Sequence, residues 1–147
     1  MRKRGIFLIA MMLMAAVGAN AQEYTKATVK DMTNNFIFTL MEGDLKGILK
    51  FFDPDYVAGQ HDGFLEGRTE QFVAEFLAGS VKKGANYLTP ELDRIKSMKV
   101  KKTHCDLAKD EIYADVQILM DYGVKYTVRL DLHVTESGKL RFIGAVG

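Results

Sequence analysis

Residues 112–134, IYADVQILMDYGVKYTVRLDLHV, decide the fold class. Ile112, Ala114, Val116, Ile118 and Met120 recur at every second position, and after Asp121-Tyr122-Gly123 the alternation resumes through Val124, Tyr126, Val128, Leu130, Leu132 and Val134. Successive side chains of a β-strand point to opposite faces, so a period of two writes one apolar and one polar face. Two such runs joined by a short glycine-bearing segment predict an antiparallel hairpin. The polar row Lys125, Thr127, Arg129, Asp131 and His133 must then lie opposite the apolar one, with Tyr113 and Leu119 adding apolar area to that polar face.

Working outward, Glu136-Ser137-Gly138 reads as a second turn into a last strand with Leu140, Phe142 and Val146 on one face and a gap at Gly144. On the other side, Met98 and Val100 alternate with lysines in a first strand around residues 96–102. Arg94, Lys96, Lys99, Lys101 and Lys102 form a basic run without interleaved aromatics, which fits a solvated strand face and excludes a nucleic-acid surface.

The first half of the chain changes period. Val29, Met32, Phe36, Leu40 and Met41 fall at helical spacing over residues 28–41, with Thr28 placed to cap and Gly43 to end the helix. A shorter helix is expected from the Asp44 cap through Phe52, stopping before Pro54. Tyr56-Val57-Ala58 reads as a short strand, Gly59–Gly63 as a polar loop, and Arg68 or Thr69 as the start of a third helix with Phe72, Val73, Phe76 and Leu77 inward and Gly84 as its end cap. Residues 87–91 admit either an extended segment or one helical turn at Thr89-Pro90-Glu91. Helices first and an antiparallel meander second predict an α+β domain with one sheet face covered by helices.

Arg2, Lys3 and Arg4 precede an apolar run over residues 6–17 and then Ala19-Asn20-Ala21, the pattern of a cleavable signal peptide over residues 1–21. The run falls short of the roughly 20 residues that span a bilayer, so a periplasmic or secreted protein with no membrane attachment after cleavage is expected. The 147 residues carry 20 basic and 19 acidic side chains; losing the signal leaves 17 against 19, a net −2 that gives no global field toward nucleic acid or anionic membranes. Residues 22–147 fit a single domain able to bury a core. Cys105 is the sole cysteine, which rules out an internal disulfide and suits a half-buried strand residue. His61, Asp62, His104 and His133 lack metal-ligand spacing, so no metal and no cofactor are expected.

Asp55-Tyr56-Val57, then Gln60-His61, then Glu66-Gly67 before a helix containing Phe72 and Phe76, together with Gly138-Lys139-Leu140 at the last turn, resemble the nuclear transport factor two-like superfamily. The likeness is to its SnoaL-like branch, which includes polyketide cyclases and, more distantly, ketosteroid isomerases. The resemblance covers most of residues 22–147 in element order. It implies N-terminal helices closing a curved antiparallel sheet into a cone, an apolar cavity inside, and a homodimer formed through the sheet face.

On that footing, the leading expectation is a domain binding a small apolar ligand, lined by Tyr56, His61, Phe64, Phe72, Phe76 and Tyr126. A second expectation makes the pocket a proton-transfer site, with His61 or Asp62 as base and Tyr56 donating to a developing oxyanion. A third is a dimeric interaction domain. Catalytic relatives follow the glycine-lysine turn with charged, histidine or aromatic residues, whereas here Ile143-Gly144-Ala145-Val146-Gly147 offers no acid or base, which favours binding.

Overall fold

The computed structural model describes residues 24–60, 68–79 and 90–147. The expected signal segment, the loop residues His61, Asp62 and Phe64, the Glu66-Gly67 pair, Gly84 and residues 87–89 lie outside the described residues.

Helix α1 spans Lys26–Met41 and is opened by a capping box: the Thr28 amide donates to Thr25 Oγ1 at 3.4 Å and the Thr25 amide to Thr28 Oγ1 at 2.6 Å. The cap is therefore Thr25, one turn before the expected Thr28, because the reciprocal pair needs both threonines. Helix α2, Leu45–Ile48, is capped by Asp44, whose Oδ1 accepts from the Gly47 amide at 2.9 Å, and it tightens into a 3-10 turn over Leu49–Phe51.

The expected strand at Tyr56-Val57-Ala58 is a helix, α3, over Pro54–Gln60. Proline ends what precedes it but suits the first helical position, where its missing N–H has no intrahelical role. Asp53 supplies the cap: its Oδ1 accepts from the Asp55 amide at 2.8 Å and its carbonyl accepts from the Val57 amide at 3.0 Å. Helix α4 runs Thr69–Ala78 and closes at Gly79, φ +85°, rather than extending to Gly84. A short 3-10 turn at Leu92–Arg94 leads into the sheet.

Strands β1 (Ile95–Asp106), β2 (Glu111–Met120), β3 (Lys125–Val134) and β4 (Leu140–Val146) form an antiparallel meander in that spatial order. Among the described residues the protein is thus α+β, with helices against one face of a four-stranded sheet. Helix α1 lies on β1 and β2, and α4 lies on β4. Ile112, Ala114, Val116, Ile118 and Met120 face this core together with Val128, Leu130 and Leu132, each no more than 3% exposed.

The last strand departs from simple alternation. Asp131 pairs with Gly144 while Leu132 pairs with Phe142, so Ile143 is the extra residue of a bulge. Beyond it the facing inverts: Ala145 is buried and Val146 is 41% exposed, the reverse of the expected phase. The backbone before α3 extends β4 outward, with Phe52 bridging Phe142 in parallel and the Asp53 amide donating to the Phe142 carbonyl at 3.0 Å.

Five phenylalanines from four segments meet in the core. Phe36 sits edge-on to Phe51, Phe52, Phe76 and Phe142 with centroids 4.9–6.1 Å apart, and Phe52 approaches Phe76 at 4.7 Å. These are the preferred edge-to-face arrangements of aromatic quadrupoles. Thr33, fully buried on α1, satisfies its hydroxyl by donating to the Val29 carbonyl at 2.7 Å.

Candidate functional site

Of the ligand-binding and catalytic residues expected from the sequence, Tyr56, Phe72, Phe76 and Tyr126 lie in the described part. Tyr56 projects from α3 half-buried, its ring 6.0–6.5 Å from those of Phe52, Phe72 and Phe76. Burial raises the Tyr56 phenol above its ordinary value, so it stays protonated near neutrality. Phe72 and Phe76 are 2% and 4% exposed and engaged in the ring cluster. Tyr126 donates its hydroxyl to the Leu77 carbonyl on α4 at 3.0 Å. The fold thus gathers Tyr56, Phe72 and Phe76 into one aromatic patch, with Tyr126 tied to the same helix.

The structure also joins two residues that the chain separates by 80 positions: His133 on β3 and Asp53 at the start of α3, bonded through Nε2 and Oδ2. Asp53 is 8% exposed, and the side chain of His133 is 29% exposed. The pair is part of the lining of a groove of about 640 Å³ between the Leu49–Asp55 segment and the turn joining β3 to β4. Burial pushes the Asp53 carboxyl up. The Asp55 amide, the hydrogen bond and charge of His133 and the Tyr56 amide outweigh that push, leaving the carboxyl below its ordinary value.

An ionised Asp53 can only accept, so Nε2 of His133 must donate to it. In the neutral imidazole this leaves the lone pair on Nδ1, the arrangement that orients a histidine for proton transfer. Arg141 stands beside His133 as its cross-strand partner, and its Nη1 donates to the Leu140 carbonyl at 2.7 Å. Lys50 and Lys139 complete a set of three cations lining the groove, none of which forms an ion pair among the described residues.

One wall is a well-braced turn. Gly138, φ +80°, donates its amide to the Thr135 carbonyl at 2.8 Å; the Thr135 hydroxyl bonds Ser137 Oγ at 2.9 Å and accepts from the Lys139 amide at 3.1 Å. Tyr24 donates its hydroxyl to the Gly138 carbonyl, fastening the turn to the start of α1. Lys139 is therefore presented from a fixed backbone.

Sequence reading places Asp53 at the helix stop before Pro54 and His133 in the polar row opposite the apolar face, and gives no reason to pair them. The usable signal is local: an aspartate directly before a proline is a helix cap that holds its carboxylate in place. Elsewhere, the Cys105 thiol donates to the Tyr24 carbonyl at 3.4 Å, and burial together with Asp106 pushes its pKa up, away from thiolate chemistry. Among the described residues no group of three or more histidine, cysteine, aspartate or glutamate side chains converges as a metal site. No described helix is long and apolar enough to cross a membrane.

No family model matches the chain, and neither a curated protein nor a solved structure does. What the fold and geometry define is an α+β domain carrying a groove around an acid–imidazole pair.

Proposed function

We propose that the protein is a small-ligand-binding domain and that its ligand sits in the groove over Asp53 and His133. One observation carries this reading: a carboxylate almost removed from water is paired with an imidazole in the lining of an open groove. Burying a carboxylate costs solvation that its hydrogen bonds only partly return, so an apolar side chain of similar volume would serve stability as well. A polar pair kept in the lining of a groove is available to a ligand. Titrating the labelled protein with mixtures of small metabolites is expected to give saturable amide shifts at residues 50–55 and 133–141. Mixtures that move only resonances elsewhere would remove the groove from consideration.

The site differs from the apolar cavity expected from the sequence, since Phe72 and Phe76 are engaged in ring packing. Export through the signal segment, pairing of two copies through the polar sheet face and kinship with the SnoaL-like branch belong to the same proposal. Support for the kinship is the order of helices before a four-stranded meander.

The hydrogen bond between His133 Nε2 and Asp53 favours a second reading, proton transfer. Nδ1 would take a proton from carbon next to a carbonyl, the bonding pair passing into the enolate, and return it to the same or a neighbouring carbon. Pyruvate in D2O tests this. Protein-dependent exchange of its methyl hydrogens that is abolished in His133→Gln supports it; exchange at the buffer rate counts against it.

A further inference from the structure

We propose that the groove selects a small monocarboxylic acid with an apolar body, its carboxylate held by Lys139, Arg141 and Lys50 beside His133. This rests on the small-ligand reading and adds the chemical class.

The charges decide the sign of the ligand. Asp53 is already engaged by hydrogen bonds from the Asp55 amide and His133, which leaves Lys50, Lys139 and Arg141 sharing the groove with Asp55 and Glu136. The three cations outnumber the two remaining acids and are tied to neither by an ion pair. A guanidinium offers a planar fork to a carboxylate, and an ammonium adds a point charge, so the Arg141–Lys139 combination suits one carboxylate held from two sides. Lys50 and Arg141 also line a neighbouring groove of about 340 Å³ together with Asp31, so these two cations are shared by both depressions.

The remaining lining sets the body. Half-buried Leu49 and exposed Pro54 give the groove an apolar side, while the Phe52 ring is packed in the core. A bare inorganic anion would leave that side wet, whereas an organic acid covers it and gains roughly 25 cal/mol for each Å² removed from water. Asp55 and Glu136 repel a second negative charge, which favours one carboxylate over two.

The test uses four probes of the full chain by amide-shift titration: benzoate, benzamide, benzylamine and inorganic phosphate. Benzoate is expected to shift residues 133–141 and 50–55 saturably, and about tenfold more tightly than the other three, the difference that one charge-assisted contact supplies. Lys139→Gln and Arg141→Gln, checked for an unchanged circular dichroism spectrum, are each expected to weaken benzoate several-fold and leave benzamide unmoved. Benzamide or benzylamine binding in the groove as tightly as benzoate would overturn the anionic class while leaving small-ligand binding intact. Phosphate binding as tightly as benzoate would overturn the apolar body. If no probe moves these residues, the carboxylic-acid proposal is overturned, and the metabolite titration then decides the broader reading alone.

Discussion

Asp53 keeps its carboxyl below the ordinary aspartate value of 3.8 although burial pulls the other way. An acid whose folded pKa is depressed adds stability above its unfolded value and loses it as the pH falls through the folded one. Asp53→Asn is therefore expected to lower stability at pH 7 by about 1–3 kcal/mol, the range for a hydrogen bond to a charged partner. In urea titrations the gap between wild type and variant should close in acid below 3.8; a gap constant with pH would remove the charge from the explanation. Asp131, half-buried on the polar sheet face, behaves in the opposite sense. Burial raises its pKa, Arg129 lowers it and Asp115 raises it further, so the net shift is upward. Its ionised form opposes folding, and that cost is present above the folded value and fades as the pH falls. Asp131→Asn is expected to raise the melting temperature at pH 7, with the gain shrinking as the pH approaches 3.8. Arg129 stays anchored in the variant, because it grips Asp115 through two bonds of 2.8 and 3.2 Å and lies 3.7 Å over the Tyr113 ring.

At the scale of elements, the two segments that depart from their sequence pattern share a cause: a local signal has a different sense on either side of itself. Pro54 is legible as a stop, but it also starts α3, and the Asp53 cap before it decides which sense prevails. The phase of β4 is legible up to Phe142, and the bulge at Ile143 then moves every later side chain to the other face. Nothing in the composition of 140–146 marks a one-residue insertion, since its position is set by pairing with β3. The end of α4 also depends on a distant segment. Gly79 has φ +85° and ψ 159°, and a Cβ there would lie 2.6 Å from Gly147 Cα and 2.9 Å from the Val146 carbonyl carbon. Both the backbone region and the space exclude a side chain. Gly79→Ala should cost at least about 1–3 kcal/mol, as expected for a residue forced into a glycine-only conformation. A urea midpoint equal to that of the wild type would show that the β4 end can move aside.

Across the whole molecule, the core depends on Phe36, the ring at the centre of the cluster that joins α1, the 3-10 turn, α4 and β4. Phe36→Ala is expected to cost about 3–5 kcal/mol in unfolding free energy, the range for deleting a fully buried aromatic side chain. It should act on both halves of the chain at once, so probes on α4 and on β4 should lose protection from hydrogen exchange together. Loss confined to α1 would mean that the cluster is less cooperative than its geometry requires. The apolar periodicities make most of these core positions legible in the sequence, since Phe36, Phe72, Phe76, Leu130 and Phe142 all fall on the apolar face of their element. The groove is not legible there, because it joins Asp53 to His133 and its cations come from separate segments. Sequence alone determined the α+β class, the meander and the inward faces, because burial repeats with the local period of each element. Only the tertiary structure decided where Asp53 meets His133 and which way β4 turns after Phe142, because both depend on pairing between segments distant along the chain.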